Sequence, residues 1–374
     1  MTLKEEFIKL GYTEEDYEII RNNYAVNQIK DETLIKKLKD NFAFLLKMGY
    51  TKEEVIKMTK SSPQIYSYSI ENMKQKIEDI ISLGYTKEEV IKMTKTLPAI
   101  YGYSIENMKQ KIEDIISLGY TKEEVIKMTK GIPIIYSYSI ETIKRKIEDI
   151  ISLGYTKEEV VKMTKTLPAI YGLSIENMRQ KIEDIISLGY TKEEVIKMTK
   201  SLPAIYSYSI ENMKQKIEDI ISLGYTKEEV IKMTKILPAI YGLSIESMKQ
   251  KIEDIISLGY TKEEVIKMTK ILPAIYGFSI ENMKQKIDFY DSIDMHELAV
   301  INPKQLMQSV NLSYARYSFY KDRGIDIDMN NYRKLFVGQK DFEKAYRITK
   351  KELLEKYDYN KYKEEKEKEN GRII

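Results

Sequence analysis

The chain has 374 residues, 43% hydrophobic and 32% charged, and a formal net charge of only +3. No apolar run reaches the roughly eighteen residues a membrane-spanning helix needs. The absence of cysteine excludes disulfides, thiolate metal sites and cysteine nucleophiles, and the single histidine, His296, excludes a multi-histidine metal centre.

The N-terminal stretch MTLKEEFIKLGYTEEDYE is acidic and has neither the apolar core of a signal peptide nor the arginine-rich, acid-poor character of a transit peptide. A soluble, cytoplasmic protein is expected. Residues 1–47 read as a degenerate capping unit, because LGYTEEDYEII from Leu10 anticipates a motif that then recurs. Seven near-identical units of 35 residues follow over 48–292, starting at Met48, Leu83, Leu118, Leu153, Leu188, Leu223 and Leu258. Residues 293–357 read as degenerate C-terminal capping units, with NPKQLMQSVNLSYARYSFYKDRG the clearest remnant. The charged run over 358–374 is expected to be frayed or disordered.

The second copy, LGYTKEEVIKMTKTLPAIYGYSIENMKQKIEDIIS, predicts two helices with a broken joint. Thr86 and Glu89 have capping-box spacing, so helix one begins there and runs to about Lys95. Leu97 precedes Pro98 and is biased away from the α region. Pro98 suits the first turn of a new short helix, and PAIY is long enough for one turn, of 3₁₀ type. Ser104 caps helix two, whose apolar residues Ile105, Met108, Ile112, Ile115 and Ile116 lie on one helical face. Gly119 supplies a left-handed stop. One such unit buries too little to fold alone, so the units must stack. The expected fold is all-α: a superhelical helical-repeat solenoid of 35-residue units, each with two longer helices and one short 3₁₀ or α turn.

The run Leu83-Gly84-Tyr85, then Glu88-Glu89-Val90, Pro98, Ile100, Ser104, Glu106, Met108, Lys111 and Ile112 resembles the repeat of the mitochondrial transcription termination factor (mTERF) family. The resemblance covers roughly Leu10 to Gly324. It implies a superhelix of triple-helical units and binding of double-stranded DNA, or of RNA in some members, along a basic groove. It also implies a part in organelle gene expression. The chain departs from the family pattern in lacking a transit peptide, in the near identity of its copies and in its low net charge.

Charge distribution points the same way as the resemblance. In the second copy Lys92, Lys95, Lys109 and Lys111 span the joint against Glu106 alone, whereas Glu113, Asp114, Glu123 and Glu124 gather near the glycine turn against Lys122 alone. A helical hairpin separates these stretches, so stacking is expected to give a basic ribbon at the joints and an acidic one at the turns. Acids in first turns and lysines in last turns also suit the helix dipole whatever the ligand. The candidate nucleic-acid-binding residues are Lys60, Lys95, Lys130, Lys165, Lys200, Lys235 and Lys270 at the ends of helix one. Lys74, Lys109, Lys144, Arg145, Arg179, Lys214, Lys249 and Lys284 on helix two join them, as do Arg316 and Arg323 among the tyrosines of the C-terminal unit.

Copies differ chiefly at the joint. The position before it is Ser61, Thr96, Gly131, Thr166, Ser201, Ile236 and Ile271; after it come Ser67, Gly102, Ser137, Gly172, Ser207, Gly242 and Gly277. Such variation fits either one ligand unit read per protein unit or drift at tolerant positions. No phosphate loop, nucleophile elbow or metal motif appears, so neither catalysis nor a cofactor nor a small-molecule substrate is expected. The expected partner is nucleic acid, duplex DNA before RNA, with the protein a monomer. The alternative is a scaffold binding a partner peptide or helix.

Overall fold

The structure, a computed structural model, describes residues 2–370, and among them there are helices and no strands. Each copy folds as its local chemistry directs. In the second, helix one spans Lys87–Thr96, a 3₁₀ turn spans Pro98–Gly102 and helix two spans Ile105–Ile116. Glu89 N donates to Thr86 Oγ1 (3.2 Å) while Thr86 N donates to the Glu89 carboxylate (3.0 Å), closing the capping box. Leu97 sits at φ −132°, ψ 79°, outside the helical region as a residue before proline must. Ser104 accepts from Asn107 N (3.0 Å), and Gly84 at φ +120° turns the chain into helix one.

Val90, Met93, Ile100, Tyr101, Met108, Ile112 and Ile115 are buried. Helix one packs on helix one of the next unit and helix two on helix two, giving two layers of a helical-repeat solenoid. The chain forms two compact bodies, one up to Lys181 and one from Ile182. In the first, helices Leu3–Leu10, Glu14–Arg21, Tyr24–Asn27 and Asp31–Lys47 precede the first full copy. In the second, a shortened unit made of Leu298–Ile301, Pro303–Met307 and Val310–Lys321 follows the last full copy.

In the charged tail, Tyr359–Asn370 forms a helix. Its first turns are fastened by aromatic contacts: Tyr362 stacks on Tyr314 with centroids 4.7 Å apart, and Tyr359 lies tilted against Tyr314 at 5.5 Å. Two tyrosines at the head of the run anchor what charge alone would leave solvated. Residues 371–374 of that tail lie outside the described residues.

Candidate nucleic-acid interface

The geometry of the interface follows from how consecutive units are staggered. Tyr85, just before helix one of the second copy, reaches Thr129 near the end of helix one in the third copy (2.5 Å) and Tyr136 in its joint (2.5 Å). Thr129 spends its only hydroxyl proton on main-chain carbonyls, Val125 O at 2.7 Å and Ile126 O at 3.2 Å. It must therefore accept from Tyr85, and Tyr85 in turn must accept from Tyr136. A one-way chain of donation results, Tyr136 to Tyr85 to Thr129 to backbone. The same triad recurs as Tyr12–Thr59–Tyr66, Tyr50–Thr94–Tyr101 and Tyr120–Thr164–Tyr171 in the first body. The second body has it as Tyr190–Thr234–Tyr241 and Tyr225–Thr269–Tyr276. The series ends at Tyr260, which donates to His296 O (3.1 Å) and stacks on the His296 ring.

This stagger overturns the expected separation of charge in the helix-one layer. The start of helix one in one unit lies beside the end of helix one in the next, so capping glutamates meet the lysines expected to line a basic ribbon. Lys95 pairs with Glu54 (2.8 Å), Lys130 with Glu89 (2.6 Å) and Lys165 with Glu124 (2.9 Å). Lys60 pairs with Asp16 (2.6 Å), Lys235 with Glu194 (2.6 Å) and Lys270 with Glu229 (2.7 Å), and Lys200 is engaged as well. The hydrogen bond from Lys130 holds the Glu89 carboxyl below its usual range, and Lys95 does the same for Glu54. These lysines are largely neutralised where they stand.

The helix-two candidates fare differently. Lys74, Lys109, Lys144, Arg145, Arg179, Lys214, Lys249 and Lys284 are all exposed. Lys284 pairs with Asp288 (3.2 Å), and Lys74 lies over the Phe44 ring. Glu106 and Glu113 stand one turn before and after Lys109 on its own helix face, so this row has mixed charge.

A second row on helix two was not among the candidates. Lys111 Nζ donates to Tyr138 O in the next joint (2.5 Å), Lys76 to Tyr103 O (2.5 Å) and Lys146 to Leu173 O (3.3 Å). In the second body Lys216 donates to Leu243 O (2.5 Å), Lys251 to Phe278 O (2.5 Å) and Lys286 to Leu306 O. Each ammonium is half-buried at a joint and held by a carbonyl, which leaves its charge intact. Its place beside buried Ile112, at the border of the apolar face, was the available signal.

Arg316 is corrected outright. It is 1% exposed, and its guanidinium donates to Leu335 O (2.8 Å), Val337 O (2.7 Å) and Gln339 Oε1 (3.1 Å). It fastens the C-terminal segment and cannot reach a phosphate. Arg323 remains at the surface, lying 3.5 Å from the Phe319 ring centroid.

Part of the joint variation has a packing cause. A Cβ on Gly102 would stand 2.6 Å from the Tyr68 hydroxyl of the preceding unit, and one on Gly242 would stand 3.2 Å from that of Tyr208. At Gly172 and Gly277 the space is open.

Among the described residues no helix is long and apolar enough to cross a membrane. The sequence matches the mTERF family over residues 29–118, 112–222, 150–257 and 185–326. No curated protein matches the chain.

Proposed function

Since the chain belongs to the mTERF family, whose members are non-enzymatic nucleic-acid-binding repeat proteins, we propose that it binds duplex DNA in preference to RNA and acts in regulating transcription. The observation that carries this reading is the carbonyl-held lysine of helix two, recurring at one register as Lys76, Lys111 and Lys146 and as Lys216, Lys251 and Lys286. A cation paired with a carbonyl keeps its full charge for a phosphate, unlike one paired with a carboxylate. The exposed Lys74, Lys109, Lys144, Arg145, Arg179, Lys214, Lys249 and Lys284 stand on the same helices and add long-range attraction. Arg323 and the ion-paired helix-one lysines are secondary contributors.

Mobility-shift titrations with duplex DNA, single-stranded DNA and RNA of equal length test it. Duplex DNA should bind tightest, with affinity falling as salt rises from about 50 to 200 mM. Replacing Lys111 and Lys146 together by methionine should flatten the log–log salt slope by about 2. The same change at Lys95 and Lys130 should flatten the slope by less. Absence of binding at low salt, or a flat salt profile, would reject the reading. The runner-up reading, a protein-interaction scaffold, is favoured by isoleucines exposed at the ends of helix one in the second body.

A further inference from the structure

One joint position alternates between a phenol and a bare hydrocarbon. It is Tyr68, Tyr103, Tyr138 and Leu173 in the first body and Tyr208, Leu243 and Phe278 in the second. All seven side chains are half-buried. Tyr138 sits at φ −78°, ψ 140° and Leu243 at φ −78°, ψ 143°, so the backbone is the same with or without the phenol. Packing therefore does not call for a hydroxyl there. The hydroxyls of Tyr68, Tyr103 and Tyr138 have no hydrogen-bond partner among the described residues, whereas those of the Tyr–Thr–Tyr triads are bonded. Tyr208 is not without a partner.

The three free phenols stand beside cations and open space. Tyr68 lines two cavities, one of about 430 Å³ shared with Lys36 and Lys37 and one of about 350 Å³ shared with Lys76. At Leu173 the space beside Lys146 is only about 10 Å³. Tyr103 O accepts from Lys76 and Tyr138 O from Lys111, so each of these tyrosines holds a lysine by its own main chain. At the first joint Lys37 donates to Ser67 O (2.8 Å), one residue before Tyr68. Each of these joints thus sets an unpartnered hydroxyl beside a fully charged ammonium. At Leu243 and Phe278 the lysines Lys216 and Lys251 are held in the same way, and no hydroxyl accompanies them.

On a duplex, phosphate contacts fix position and contacts to base edges carry the sequence. An ammonium can do the first. A phenol hydroxyl both donates and accepts, which suits the donor and acceptor pattern that distinguishes one base pair from another. We propose that Tyr68, Tyr103 and Tyr138 are specificity-determining residues, whose hydroxyls bond base edges of the duplex that the neighbouring lysines hold. The joints at Leu243 and Phe278 hold the duplex and make no such bond. This inference rests on the duplex-binding reading given above.

Duplexes selected by the full-length wild type from a randomised pool test it, with their affinity measured against that of the unselected pool. The wild type should prefer the selected duplexes. Tyr68→Phe, Tyr103→Phe and Tyr138→Phe together keep the rings and remove only the hydroxyls. That preference should fall about 2–10-fold for each hydroxyl removed. The salt slope should not change, because no charge is lost. The urea midpoint should not change either, because no bond within the protein is broken. Phe278→Leu should leave the preference as it was. A triple variant that keeps the preference, a lowered urea midpoint, or an equal loss from Phe278→Leu would overturn the inference. Wild-type binding with the expected salt slope and no preference would reject this inference alone. Absence of binding would reject the duplex reading and this inference with it.

Discussion

Gly84 and Gly131 lie in opposite backbone regimes, and the difference fixes the sign of a substitution. Gly84 sits at φ +120° with the nearest side-chain atom, Ile126 Cγ1, 3.8 Å from an added Cβ. Space is available there and conformation is not. Gly84→Ala should lower stability by about 1–2 kcal/mol through backbone strain alone. Gly131 is the last residue of a helix, and nothing lies within 4 Å of an added Cβ. Gly131→Ala should raise stability by about 0.5–1 kcal/mol, because alanine loses less freedom on entering a helix. Urea midpoints of the two variants, displaced in opposite directions, check both values.

Between elements, the direction of the hydroxyl chain makes its members unequal. Tyr85→Phe removes the middle hydroxyl and leaves the buried Tyr136 hydroxyl without its acceptor. Tyr136→Phe leaves Tyr85 still donating to Thr129. The first change should cost about 1–3 kcal/mol and the second about 0.5–1.5 kcal/mol, read from denaturation midpoints. Equal losses would mean that the donation runs otherwise. The helices themselves were legible in the sequence because their determinants are local: Thr86 with Glu89, Leu97 with Pro98, Ser104 with the amide three residues on. Contacts across units were not. Lys130 and Glu89 are 41 residues apart, and only the stagger of stacked helices makes them neighbours, so a charge map drawn along one hairpin separates residues that stacking joins. Arg316 misled for a related reason. It stands among tyrosines as a nucleic-acid contact would, yet the carbonyls it serves belong to a segment some twenty residues on. Lys111 was visible only as one charge among several, since the Tyr138 carbonyl that distinguishes it lies in the next unit.

Over the whole molecule these buried phenols and paired carboxylates bound stability from two sides. Burial raises Tyr12 to about 12 and pushes Tyr50, Tyr85, Tyr120, Tyr190 and Tyr225 upward as well. A folded-state value above the unfolded one means that the native protein holds more protons. Stability is then complete below about pH 10 and falls as pH rises beyond it. Glu54, Glu89, Glu194 and Glu229 are lowered by hydrogen bonds from lysine, and Glu124 chiefly by its Thr121 backbone amide and then by Lys165. Their contribution is present above the ordinary carboxylate range and is lost as pH falls through it. Melting temperature against pH should show a plateau with both arms descending. Added salt should shrink the acid arm, which rests on half-buried ion pairs still open to solvent, and leave the alkaline arm, which rests on burial.

The fixed offsets of the Tyr–Thr–Tyr contacts also bear on the gene. Removing residues 118–152 would bring Tyr85 to Thr164 and Tyr171, and Lys165 to Glu89, side chains of the same types at the same separation along the chain. Recombination between misaligned copies adds or subtracts 35 residues at a stroke, and every surviving boundary closes with the bonds it had before. Array length is thereby free to vary in whole steps, while the two unlike ends, which no internal copy can replace, stay in place.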